Sequence, residues 1–99
     1  MVIVNTTFHV DCRVSREFVA WLKNTYTASA PEELTSPQIS RVMGGDDPDG
    51  ISYAHQMTAP TLAAAKRWHD GEAAQLRALC PRLFGGKTVF FTTYLDVIP

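Results

Sequence analysis

Residues 2–10, Val-Ile-Val-Asn-Thr-Thr-Phe-His-Val, alternate between an almost wholly apolar set and a mixed one. Val2, Val4, Thr6, Phe8 and Val10 fall on one side, and Ile3, Asn5, Thr7 and His9 on the other. A period of two with this many β-branched residues predicts a strand. A strand buried on both faces is apolar throughout, but here one side turns polar after Ile3. The sheet built on this strand therefore has one apolar face and one of a different kind.

The rest of the chain supplies its neighbours. Asp11 is a candidate cap for a helix whose apolar stripe is Val14, Phe18, Trp21 and Leu22, ending near Tyr26 before Pro31. Gln38–Met43 and Ile51–Thr58 predict two strands joined by Gly44-Gly45-Asp46-Asp47-Pro48-Asp49-Gly50, turn chemistry from end to end. The turn's aspartates lack the offsets and terminal Glu of an EF-hand, so they are expected to be a solvated tip. Thr58–Thr61 starts a second helix through Ala63, Ala64 and Ala65. Gly71 weakens that helix, and Pro81 is expected to end it. Lys87–Ile98 predicts the last strand, with Val89, Phe91, Thr93, Leu95 and Val97 on its core side.

The order strand, helix, strand, strand, helix, strand predicts an α+β, ferredoxin-like βαββαβ fold. Right-handed crossovers give a four-stranded antiparallel sheet of order 4-1-3-2, with both helices on one face. The opposite face would collect Asn5, Thr7 and His9, then Ser52, Ala54, Gln56 and Thr58, then Phe90, Thr92, Tyr94 and Asp96. That set is polar but nearly uncharged: too few Lys and Glu for a solvated face, too few Val and Ile for a buried one. Two copies packed sheet to sheet would cover it as a dimeric α+β barrel whose interior takes a small molecule. The candidate pocket is Asn5, Thr7, His9, Gln56, Thr92, Tyr94 and Asp96. His9 is the foremost of these, because imidazole exchanges protons near neutrality. His55 and His69 are expected to pack on the helix side. The alternative function is a non-enzymatic interaction or dimerisation module.

The totals agree. Ninety-nine residues make one domain, 1–99, and 45% hydrophobic composition argues against disorder. A net charge of −1 without a Lys/Arg cluster argues against nucleic acid as partner. No apolar run is long enough to span a bilayer and no leader pattern is present, so a cytoplasmic location is expected. Cys12 and Cys80 lack metal-site spacing, the histidines show no HxH or HxxxH, and the glycine pairs lack a phosphate-loop pattern. No metal or cofactor is expected.

Asn5-Thr6-Thr7-Phe8-His9-Val10-Asp11, Thr35-Ser36-Pro37, Gln56, Arg82–Lys87 and Phe91-Thr92-Thr93-Tyr94-Leu95 resemble a family of small bacterial proteins catalogued as a domain of unknown function. The resemblance spans nearly the whole chain and implies the ferredoxin-like fold. By analogy it points to the dimeric α+β barrel group of antibiotic-biosynthesis monooxygenases, haem-degrading enzymes and ligand-binding regulators. Haem-degrading members pair a first-strand Asn with a Trp and a more distant His. Asn5 and Trp68 fall short of that pattern, because His69 follows Trp68 directly. The resemblance implies no catalytic residue.

Overall fold

In the computed structural model, which describes residues 1–99, the opening alternation forms β1, Val2–Asp11. Asp11 closes it: its carboxylate accepts from the Arg13 amide and pairs with the Arg13 guanidinium. A short turn leads into α1, Ser15–Trp21, which continues through a π-helical turn, Leu22–Tyr26. The edge strand β2 is Thr35–Arg41, the long partner strand β3 is Gly50–Ala59, and β4 is Val89–Asp96. The sheet is antiparallel in the order β2-β3-β1-β4, the predicted 4-1-3-2 read from the other edge. No helix is long and apolar enough to cross a membrane.

The second helix is two helices. α2, Leu62–Asp70, is capped by the Thr61 hydroxyl, and α3 is Glu72–Phe84. Gly71 separates them at φ −99° and ψ −110°, where an added Cβ would press on the Arg67 carbonyl. Pro81, expected to end the helix, lies inside α3 within one turn of its end. Termination falls instead to Gly85, at φ 99°. A proline there costs one late backbone bond; a left-handed glycine reverses the chain without Cβ strain.

β2 also begins earlier than Gln38. Its register to β3 shifts between Thr35 and Gln38, a bulge in which Ser36 takes φ 54° and Pro37 offers no amide hydrogen.

The core lies between sheet and helices. Phe8 sits at its centre, with ring centroids 5.2 Å from Phe18 and 5.5 Å from Tyr26. His55 is buried among them and approaches the Thr27 hydroxyl at 2.8 Å. That hydroxyl spends its own proton on the Leu22 carbonyl, so it accepts from His55 Nε2–H. The bond ties the π-turn to β3.

Candidate functional site

Antiparallel partners share a face, so the register assigns the open face residue by residue. Gln38, Gln56, Asn5 and Thr93 form one row across the sheet. Ser40, Ala54, Thr7 and Phe91 form the next, and Ser52, His9 and Val89 the one beyond. Ile3 and Leu95 belong to the same face. Asn5, Thr7, His9 and Gln56 thus share this face, with Ser52 beside His9.

Thr92, Tyr94 and Asp96 do not share it. They pair with Thr6, Val4 and Val2 and stand on the helix side of the sheet. Both faces of β4 carry large apolar groups, so alternation alone could not choose between them, and a shift of one residue exchanges every side chain. The helix layer decides. Thr92 lies 2.9 Å from the Thr6 hydroxyl and 2.7 Å from His69 Nε2. His69 Nδ1 meets Asp70 at 2.9 Å, and the Tyr94 ring packs edge-on to the imidazole at 5.6 Å. An ionised Asp70 can only accept, so the neutral His69 donates from Nδ1 and accepts the Thr92 proton at Nε2. Phe90, also expected on the open face, leans on Phe8 and Arg77 instead.

The chemistry on the open side gathers at the hairpin end. His9 Nδ1 lies 2.7 Å from Ser52 Oγ, and its Nε2 lies 2.8 Å from Asp47 Oδ2. Asp47 comes from the turn read from sequence as a solvated tip. Its other oxygen accepts from the Asp49 amide, and the Asp49 carbonyl accepts from the Cys12 amide, pinning the turn to the end of β1. The hydrogen bond from His9 holds the Asp47 carboxyl below the usual carboxylate range. With Asp47 as acceptor, the neutral imidazole carries its proton on Nε2. Nδ1 then receives the Ser52 hydroxyl proton. Serine, histidine and aspartate form one hydrogen-bonded line beside a cleft of about 220 Å³.

Sequence reasoning placed His9 and Ser52 on this face but missed Asp47. The available signal was that a hairpin's tip must fold back near the ends of its own strands. Gly50 carries a second signal. An added methyl there would overlap both the His9 imidazole and the Asp47 carboxylate, the close approach that glycine in a strand permits. Gly50→Ala is expected to displace Asp47 and cost about 1–2 kcal/mol by overpacking. Thermal unfolding together with the His9 ring resonances in NMR checks this; an unchanged ring environment would contradict it.

No set of three or more His, Cys, Asp or Glu side chains gathers in metal-binding proximity. Cys12 and Cys80 are free thiols, one exposed and one buried.

The fold recurs in solved structures. A candidate antibiotic biosynthesis monooxygenase from Deinococcus radiodurans superposes with a TM-score of 0.76 at 12% identity, covering 100% of this chain and 94% of that one. A dabb family protein with a ferredoxin-like fold from Mesorhizobium loti gives 0.56 at 12% identity, with 100% of both chains covered. SnoaB, a cofactor-independent oxygenase from Streptomyces nogalater, solved as the mutant N63A, gives 0.59 at 10% identity over 97% of this chain and 92% of its own. At such identities the likeness is one of fold. No curated protein matches this chain. Residues 1–98 match the family described as domain of unknown function (DUF4286), and the chain belongs to that family.

Proposed function

We propose that the protein acts as a homodimer, packed open face to open face, that encloses a small polar or aromatic molecule. One observation carries this reading. Val89, Phe91 and Leu95 stand on the open face at 58%, 63% and 46% exposure, beside a centre of uncharged hydrogen-bonding side chains. An apolar strip next to a polar, charge-poor field is the pattern of a covered surface. Ser40, Ala54 and Thr7 are small and lie mid-sheet, leaving a hollow when the larger flanking side chains meet a second copy. Asn5 and Gln56 would orient the ligand from its floor. The shared fold with a cofactor-independent oxygenase supports a cavity of this kind, although it brings no catalytic residue with it.

Sedimentation at micromolar concentration is the test. The wild type is expected as a dimer and Phe91→Asp as a folded monomer, because a carboxylate would be stranded in the apolar strip. In a thermal-shift screen of small aromatic acids and phenols, Asn5→Ala should lose the stabilisation a bound compound gives, while keeping the dimer. A wild-type chain that sediments as a folded monomer overturns the reading.

A further inference from the structure

We propose that Ser52 is an acyl-accepting nucleophile and that the cleft at His9 hydrolyses small, activated carboxylic esters. The inference goes beyond ligand binding on the sheet face and does not depend on dimerisation, since every group it uses belongs to one protomer.

Three features meet there. The first is the hydrogen-bonded line Ser52–His9–Asp47, which joins a hydroxyl, a base within reach of its proton, and a carboxylate that fixes the base's tautomer. That is the arrangement an activated serine needs, here with the two imidazole nitrogens used in the opposite sense from the serine proteases. The second is positive charge. Arg41 lines the same cleft and takes part in none of the molecule's ion pairs. The third is a set of spare donors. Gly44 and Gly45 also line the cleft, at φ 81° and 120°, and their amides have no hydrogen-bond partner within the chain. Nothing lies within 4 Å of where a side chain would project from either glycine. Arg41 and these amides supply what a developing oxyanion requires.

The steps balance with water as the only co-reactant. Ser52 Oγ attacks the ester carbonyl carbon while its proton passes to His9 Nδ1, and the imidazolium so formed faces the Asp47 carboxylate. The tetrahedral oxyanion is met by Arg41 and the glycine amides. Collapse breaks the bond to the alkoxy oxygen, which leaves as the alcohol with the proton from Nδ1. Water, deprotonated by Nδ1, then attacks the acyl-Ser52 carbonyl; the second collapse breaks the bond to Ser52 Oγ, which takes the proton back from Nδ1 as the carboxylic acid leaves.

The test incubates the full chain with p-nitrophenyl acetate and follows p-nitrophenol release, intact mass and peptide mapping. The expected result is one added acetyl group, mapped to Ser52 in the wild type. Ser52→Ala should reduce release to the buffer rate, and His9→Gln should lower it about 100-fold. Asp47 acts through His9 as a positioning residue, so Asp47→Asn should lower the rate by favouring the wrong imidazole tautomer, and Asp47→Glu should restore part of it. Ser52→Cys guards against a folding artefact in Ser52→Ala, because a thiol beside His9 should still take the acetyl group. Acetylation elsewhere, wild-type release no faster than in buffer, or release undiminished in a folded Ser52→Ala overturns the proposal. These outcomes leave the dimer reading untouched, since sedimentation tests that separately.

Discussion

Arg77→Ala is expected to destabilise the fold by about 3 kcal/mol, and Arg77→Met by less, because methionine keeps most of the packing. Arg77 is 5% exposed on α3 with no carboxylate beside it. Its guanidinium donates to the Tyr26 hydroxyl at 2.9 Å and to the His69 carbonyl at 2.8 Å, and it lies over the Phe90 ring at 5.3 Å. Its Nε finds no partner. The His69 carbonyl belongs to the last turn of α2, so Arg77 serves as a cationic cap on a neighbouring helix, at the negative end of its dipole. Alanine would leave that carbonyl and the Tyr26 hydroxyl unpaired and open a cavity against Phe90. Methionine leaves the same two groups without their donor, but refills the volume and removes the cost of burying an unneutralised cation. Urea unfolding of the two variants separates these contributions. Equal losses would mean that charge, not packing, is what the position supplies.

The second large effect is an acid lability centred on His55. Burial depresses its pKa from 6.5 to about 4. The folded chain therefore holds a neutral imidazole across a range where the unfolded chain binds a proton. Stability from this group is fully present above about pH 6.5 and declines progressively as the pH falls to about 4, by about 3 kcal/mol. Protonation would not cost the bond to Thr27, since His55 already donates there; what opposes it is desolvation among aromatic rings. The measurement is the unfolding free energy of wild type and His55→Leu at intervals between pH 7 and pH 4. The variant should be less stable at pH 7, because the Thr27 hydroxyl loses the donor it accepts from, and its stability should fall less steeply with acid. Parallel slopes would show that the proton uptake belongs elsewhere.

Much of the fold was legible because the sheet's central strand obeys a simple rule. β1 has one apolar parity and one polar parity, and β3 repeats the distinction well enough to set His55 inside and Gln56 outside. β4 gives no such contrast: Val89, Phe91 and Leu95 compete with Phe90 and Tyr94. Its orientation depends on Thr92 finding Thr6 and His69, a contact among residues distant in sequence. Asp47 was hidden for a related reason. Local composition identifies a turn, but whether a turn carboxylate points to water or back onto a strand depends on the hairpin's twist and on the space Gly50 leaves. Arg77 was invisible as a buried group, because nothing in the helix period tells a solvated arginine from one that reaches a carbonyl across the break at Gly71.

The irregular start of β2 has a consequence for how such chains meet one another. A flat edge strand offers its free amides and carbonyls to any passing β-segment. Here the bulge at Thr35–Gln38 bends that edge, and Pro37 withholds a donor from it. An incoming strand cannot lengthen the sheet in register past this point. The bulge thus works against fibre-like growth on that edge.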